Sequence, residues 1–258
     1  MPSHYAHHRF GNDILSAVPA DCHRQVQRFR RLYSIGLQGP DLFFHYNPFF
    51  KTELGNLATQ LHHLTGREFF DRACAVLKEH PSEGATVFLY GLLAHYCLDS
   101  RVHPLVHRET DEGPIGHVEL ETEFERYLLQ LDGKIPPQQF RMGEHYKITR
   151  GECVTVSQFF TPATPGQIQT CLRNMIFFDW FLTRKNRALL HSLMSVTSDR
   201  VQQHLMPDHP NHKCLHLNDV MLGRYEQAAA EYPVLLEQLR SHLNHGTPLG
   251  GEFDAVFG

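Results

Sequence analysis

The chain has 258 residues, of which 41% are hydrophobic, and a formal net charge of −4. This size and composition suit a single globular domain over residues 1–258 with a sizeable core. The small net charge gives no electrostatic reason to expect duplex nucleic acid or an anionic membrane surface as a partner, and no apolar run approaches the roughly 20 residues that span a bilayer.

Helical patterns follow one another from the start of the chain. Residues 12–18 indicate a short helix, and Asp21 is a candidate N-cap for a basic helix that runs to about Tyr33. Residues 36–48 read as a loop that ends in an aromatic run, which includes Phe43, Phe44 and Tyr46. The run continues to Phe49 and Phe50, and we expect it to pack in the core more often than to line a substrate pocket.

The next helices have clear start signals. Thr52 is expected to cap a helix that ends near His62, and Thr65 with Glu68 has the spacing of a capping box. Ser82 is expected to cap a strongly apolar helix, which we expect to be central and to carry His95 and Asp99.

The second half is less regular at first and then helical again. Pro114 lies where a helix ending at Leu131 would begin, and residues 153–157 resemble a short β-strand. Thr164 to Gln167 forms another capping box, with helices ending near Phe178, Arg187 and Leu205, and then a long amphipathic helix over residues 218–243. The pattern as a whole predicts an all-α fold.

Two histidine–carboxylate pairs are the most informative feature of the sequence. His95 and Asp99 are four residues apart, as are His117 and Glu121, and His103 lies between the pairs. On a helix, residues four apart project from the same face. Because imidazole and carboxylate are natural zinc ligands, this spacing predicts a metal site.

Further candidate ligands precede these pairs in the sequence. They are the N-terminal amine at Pro2 after removal of Met1, together with His7, Asp41 and His62. One zinc ion takes about four ligands, so this set is too large for a single ion. It would hold two or three Zn²⁺ ions if one carboxylate bridges.

The sequence resembles the zinc-dependent phospholipase C family and, more distantly, the single-strand-specific zinc nucleases. The resemblance runs from Pro2 to about Glu121. It rests on Met1-Pro-Ser-x-Tyr-x-His7, Gly36-Leu-Gln-Gly-Pro-Asp41, Leu61-His62 followed by Phe69-Phe70, Gly91-x-x-x-His95-Tyr-x-x-Asp99-x-x-x-His103-Pro104, and His117-x-x-x-Glu121.

The resemblance implies a compact multi-helix fold with three zinc ions in a cleft. By position, one zinc would be held by Asp41, His62, His95 and Asp99. A second would be held by the Pro2 amine and carbonyl, His7 and a bridging Asp99, and a third by His103, His117 and Glu121. The glutamate at position 121 resembles the phospholipase branch, because the nucleases have aspartate at this position.

Two positions leave alternatives. The secreted members have a longer interval after the central Asp, so His107 is a rival to His103. His63 competes with His62 for one role, and the spacing to Phe69-Phe70 favours His62. The secreted members also begin at a tryptophan, whereas this chain would present the secondary amine of Pro2.

Such a cluster predicts hydrolysis of a phosphodiester. Two neighbouring zinc ions clamp a phosphate and activate water at neutral pH, and Asp41 is a candidate general base. The expected substrate is a phospholipid or related small phosphodiester. The alternatives are a nuclease or nucleotide phosphoesterase, and a non-catalytic metal-binding protein.

The expected compartment is the cytoplasm. The N-terminus shows no signal-peptide pattern, and the cysteines occur singly with no CxxC, as expected of reduced thiols. The six cysteines are Cys22, Cys74, Cys97, Cys153, Cys171 and Cys214.

Overall fold

The structure is a computed structural model that describes residues 4–197 and 202–258. Within these residues the chain forms α-helices joined by turns and 3₁₀ helices, and no strand occurs among them, so the all-α prediction is confirmed. The α-helices are α1 His4–Asp13, α2 Ala20–Arg28, α3 Arg30–Gly36, α4 Glu53–His62, α5 Gly66–Glu79, α6 Glu83–Glu112, α7 His117–Leu131, α8 Arg150–Gln158, α9 Pro165–Leu182, α10 Arg187–Met194 and α11 Leu215–His245. The 3₁₀ helices are Ile14–Ser16, Gly39–His45, Pro137–Gln139, Gly143–Tyr146 and Gly251–Phe253.

Helix α6 runs through the middle of the core. Its first half is apolar on every side and buried, as expected of a helix enclosed by other helices. Helix α3 packs closely against it, because Gly36 and Gly91 allow the two backbones to touch. An added Cβ at Gly36 would lie 2.4 Å from the Phe88 carbonyl oxygen, and one at Gly91 would lie 2.4 Å from the Tyr33 carbonyl oxygen. This close approach brings the segment after Gly36 alongside α6.

The predicted caps of α4 and α5 are present. The Thr52 hydroxyl accepts a hydrogen bond from the backbone N–H of Gly55 at 3.0 Å. Thr65 and Glu68 form the reciprocal capping box, with distances of 2.9 and 3.2 Å. These bonds satisfy donors that a helix start otherwise leaves unpaired.

The predicted caps of α6 and α9 are present too. The Ser82 hydroxyl accepts from the backbone N–H of Ala85, and Thr164 forms its box with Gln167. These four predicted caps are therefore confirmed, whereas the predicted cap at Asp21 is wrong, because α2 begins at Ala20 and Asp21 lies within its first turn.

Several predicted boundaries were wrong. Residues 153–157 are not a strand but part of α8, because Thr149 and Glu152 form an unrecognised capping box just before them. The helix expected from Pro114 begins at His117, since α6 continues to Glu112. The loop at 36–48 contains a 3₁₀ helix.

The first helices also differ from the prediction. Helix α1 ends at Asp13, so most of the segment 12–18 lies beyond it. The basic helix expected to run from Asp21 to Tyr33 is divided at Phe29 into α2 and α3. In α9, the helix expected to end near Phe178 continues to Leu182, and part of the helix expected to end near Leu205 lies outside the described residues.

The C-terminal residues 252–258, here called the C-terminal strap, return to the turn between α4 and α5. The backbone N–H groups of Phe257 and Gly258 donate to the carbonyl oxygens of Leu64 and His62, at 2.8 and 3.2 Å. The Phe257 side chain is fully buried and packs against aromatic residues of α5 and α6. The strap therefore fixes the end of α4, which carries His62.

Among the described helices, none has the combination of length and apolarity that crossing a membrane requires.

Candidate metal centre

Helix α6 supplies three of the candidate ligands from one face. His95, Asp99 and His103 follow one another at intervals of four residues, so they project in the same direction. His95 and Asp99 are buried, and the His103 side chain is only 13% exposed. The other candidates reach this face from α1, α4, α7 and the 3₁₀ helix at Gly39–His45.

The first group of ligand atoms joins α1 to α6. Nε2 of His7 lies 3.2 Å from Oδ1 of Asp99, and Nε2 of His95 lies 3.0 Å from Oδ2 of the same carboxylate. The His7 and His95 rings stack with centroids 4.2 Å apart. Each Asp99 oxygen thus faces a different imidazole, which is the disposition of a bridging carboxylate.

The second group consists of Asp41, His62 and His95. Nε2 of His62 lies 3.1 Å from Oδ1 of Asp41, and all three residues are buried. Gly39 makes this approach possible, because it has a φ of +52° and an added Cβ would lie 2.5 Å from the His95 ring. His63, the rival of His62, points to solvent.

The third group consists of His103, His117 and Glu121. Nε2 of His103 and Nε2 of His117 lie 3.2 and 3.1 Å from Oε1 of Glu121. The His117 side chain is 38% exposed and forms the open edge of the centre. His107 is exposed and stacks on His103 at 5.7 Å, outside this group.

The groups are contiguous. His95 belongs to the first two, and Nδ1 of His103 lies 3.9 Å from Oδ2 of Asp99, which connects the third. Within each group the ligand atoms all lie within 4.8 Å of one another. The structure therefore brings together His7 and the seven candidates from Asp41 to Glu121, while Pro2 lies outside the described residues.

Backbone carbonyl groups orient two of the imidazoles. Nδ1 of His62 lies 2.7 Å from the Ala58 carbonyl oxygen, and Nδ1 of His95 lies 3.1 Å from that of Leu37. Because a carbonyl oxygen only accepts, the hydrogen-bond network assigns the hydrogen to Nδ1 in both rings. The Nε2 atom of each ring then faces a carboxylate oxygen, an approach that is favourable with a metal ion between the two atoms or with a proton on Nε2.

The charges in the centre are those that a metal requires. Burial opposes ionisation of the Asp41, Asp99 and Glu121 carboxyl groups, but the positive charges and histidine hydrogen bonds around them hold each pKa below its usual value. Burial lowers the pKa of His7 and so favours the neutral imidazole that binds metal. In His95 and His103 burial also acts to lower the pKa, but the neighbouring carboxylates outweigh it and raise the pKa, to about 9 in His103. The centre thus gathers buried carboxylates whose charge must be compensated.

The arrangement of the buried polar atoms also fits a bound metal ion. Oδ2 of Asp99 lies 3.0 Å from Nε2 of His95 and 3.9 Å from Nδ1 of His103, yet these three buried atoms do not have the geometry of a hydrogen bond. Buried polar atoms are normally satisfied, so their convergence here indicates a coordinating ion. Imidazole and carboxylate together are a donor set for zinc.

Residues 6–161 match the family model described as zinc dependent phospholipase C, which covers more than half of the chain. The chain belongs to the zinc-dependent phospholipase C family. The matched range contains every candidate ligand from His7 to Glu121, and α9 to α11 lie beyond it. No curated protein and no solved structure shows a significant match to the chain.

Sequence reasoning did not single out two buried groups near the centre of this phospholipase C-type fold. His45, expected to be a surface or packing residue, is buried with Nε2 3.0 Å from Nε2 of His4, and burial lowers its pKa. Glu125 is buried one turn beyond Glu121 and accepts a hydrogen bond from the backbone N–H of Tyr5. Its spacing of four residues from Glu121 was the available signal.

Proposed function

We propose that this protein is a zinc-dependent phosphodiester hydrolase of the phospholipase C type, acting on a phospholipid or a related small phosphodiester. The observation that carries the proposal is the contiguity of the three ligand groups around Asp99 and His95. Membership of the family supports the reaction class.

In this proposal the chain holds two or three Zn²⁺ ions. Asp41, His62, His95 and Asp99 would hold one, His7 and Asp99 with Pro2 a second, and His103, His117 and Glu121 a third. The three groups of ligand atoms support this partition. Zinc bound there would supply Lewis acidity toward the phosphate and a water that is activated at neutral pH.

The protein's own groups orient the reactants. Burial opposes ionisation of Asp41, but the positive charges around it outweigh this effect and keep its pKa low, so it is ionised. In this proposal its carboxylate accepts the proton of the attacking water as that water's oxygen bonds to phosphorus. The bond from phosphorus to the leaving oxygen breaks, and that oxygen is protonated from solvent. The half-exposed edge at His117 is the side from which a phosphate enters.

The proposed compartment is the cytoplasm. All six cysteines are buried free thiols, which is the usage expected where thiols stay reduced.

The test is hydrolysis by zinc-loaded and chelator-stripped protein of three substrates: bis-p-nitrophenyl phosphate, phosphatidylcholine and a single-stranded oligonucleotide. We expect zinc-dependent turnover of the first two. His62→Ala and His103→Ala should abolish it, while the neighbouring His63→Ala and His107→Ala should retain it. Cleavage of the oligonucleotide alone would favour a nuclease. A single tightly held ion without turnover of any substrate would leave a non-catalytic metal-binding protein.

A further inference from the structure

A cluster of aromatic side chains lies exposed on the surface formed by the loop before α4 and by α9. Phe49, Phe50, Phe177 and Trp180, here called the aromatic surface, have exposed fractions of 56%, 74%, 51% and 40%. The two segments meet where the Phe49 and Phe178 rings lie 5.9 Å apart. Exposed apolar patches of this kind mark interaction sites, because single exposed residues are common but contiguous ones are not.

The aromatic surface is continuous with a cavity of about 260 Å³. Phe49 belongs to both, and Phe178, Phe181 and Leu193 also line the cavity. Its inner wall includes Glu125, one turn beyond the candidate ligand Glu121 on α7. Phe49 therefore joins the aromatic surface to a space that reaches the helix of the candidate metal centre.

Basic residues flank the rings in a regular order. Arg173, Phe177, Trp180 and Arg184 follow one another at intervals of four, three and four residues, which places them along one side of α9 and its end. The Arg184 guanidinium lies 4.1 Å from the centre of the Trp180 ring. This stripe has aromatic residues between two cationic ones.

The other segment adds positive charge as well. Lys51 is exposed directly after Phe50, and Lys185 is exposed after Arg184, against the single exposed carboxylate of Glu53 nearby in sequence. Residues 49–53 and 173–185 together carry four basic residues against two carboxylates, Glu53 and the half-buried Asp179, so the net charge of −4 does not describe these two segments. Such a face attracts anionic headgroups.

We infer that the aromatic surface docks the protein onto an anionic phospholipid bilayer. Aromatic residues favour the boundary between headgroups and acyl chains, and an apolar face with basic residues beside it binds in that plane. Phe177, Trp180 and the flanking arginines lie beyond residues 6–161, so the family match does not include them. Docking does not require the hydrolysis proposed above and can be measured without it.

The single tryptophan of the chain, Trp180, reports on this contact directly. Metal-free full-length protein is titrated with vesicles of phosphatidylcholine mixed with phosphatidylserine, and with vesicles of phosphatidylcholine alone. We expect the Trp180 emission to shift to shorter wavelength with the anionic vesicles and to be quenched by brominated acyl chains. The vesicles should also co-sediment the protein, more weakly when phosphatidylserine is absent.

Two variants and a control sharpen the test. Phe50→Ala combined with Phe177→Ala keeps the tryptophan and should weaken vesicle binding at least about tenfold, with turnover of soluble bis-p-nitrophenyl phosphate unchanged. Lys51→Ala combined with Lys185→Ala should lose most of the preference for anionic vesicles. Val234→Ala, at a half-exposed valine of α11, should bind like the wild type.

Three outcomes would overturn the inference. The first is an unchanged Trp180 emission spectrum with anionic vesicles, and the second is vesicle binding by the double phenylalanine variant equal to that of the wild type. The third is a stable dimer in sedimentation equilibrium that is lost in this variant, because the aromatic surface would then be a contact between two copies. If the metal-free protein binds vesicles but the zinc-loaded protein hydrolyses no substrate, docking is supported and only the proposed function is contradicted.

Discussion

Replacing Gly39 by alanine tests the packing on which the candidate metal centre depends. The new Cβ would lie 2.5–2.8 Å from three atoms of the His95 ring. That ring is fully buried, stacks on His7 at 4.2 Å and packs near Phe257 at 5.7 Å, so it has no free space into which to move. His95 also belongs to two of the three ligand groups.

Two costs add at Gly39. A non-glycine residue in the left-handed region costs about 1–2 kcal/mol, and forcing a group into a packed interior costs about 1–3 kcal/mol. We therefore expect Gly39→Ala to lower the free energy of unfolding by about 2–5 kcal/mol. The matched control is Gly133→Ala, since Gly133 has a φ of +69° but nothing within 4 Å of an added Cβ.

The assay is urea unfolding of both metal-free variants, followed by zinc titration against a chromophoric chelator. Gly133→Ala should show only the backbone cost and bind zinc like the wild type. Gly39→Ala should be less stable than this control and bind zinc at least about tenfold more weakly, as expected when a supporting position around a ligand is lost. Equal stability of the two variants together with unchanged zinc affinity would refute the packing argument.

Three more predictions concern the surroundings of the centre. Phe257→Ala should lower the free energy of unfolding, measured in urea, by about 3–5 kcal/mol, because the ring is fully buried. The control Val256→Ala, at the adjacent half-exposed residue, should stay within about 0.5 kcal/mol of the wild type. Similar stabilities of the two variants would contradict the role of the strap. Burial raises the pKa of Glu125 from 4.5 to about 8, so the folded metal-free protein keeps a proton that the unfolded chain releases, and stability falls as the pH rises through that window. In the wild type the free energy of unfolding should fall by a few kcal/mol across this window, at about 1.4 kcal/mol per pH unit, and in Glu125→Gln this fall should be absent. Parallel curves of unfolding free energy against pH for the two proteins would contradict the prediction. Zinc at about 100 times its Kd should stabilise the wild type by about 2.7 kcal/mol in calorimetry, whereas His95→Ala should gain much less; an equal gain would remove His95 from the centre.

Local signals in the sequence predicted much of the fold. The caps at Thr52, Thr65, Ser82 and Thr164 depend on residues three apart, so the chain carries them without tertiary information. The spacing of four in His95–Asp99 and His117–Glu121 depends only on helix geometry, and each pair lies within one helix of the structure.

The helix boundaries that were predicted wrongly depend on contacts distant in sequence or on competing local patterns. Alternating residues at 153–157 suggested a strand, but the cap at Thr149 and the burial of Cys153 and Val156 at helical spacing favour a helix. Helix α6 continues past Pro104, although proline removes a helix hydrogen bond, because Leu105 and Val106 beyond it are buried.

The meeting of the ligand segments was predictable only through resemblance. Asp41 and His62 come from separate elements, and nothing in their spacing indicates that their side chains lie 3.1 Å apart. The strap could not be predicted, since residues 257 and 258 reach His62 from the other end of the chain.

The strap also has a consequence for the order of synthesis. The candidate ligands span residues 7–121, but the hydrogen bond from the strap to the His62 carbonyl oxygen comes from Gly258, more than a hundred residues later. Because chains begin to fold from the N-terminal side while they are still being made, the clustered histidines leave the ribosome before the strap exists. The end of α4 is therefore held in its final place only once residues 257 and 258 have been added.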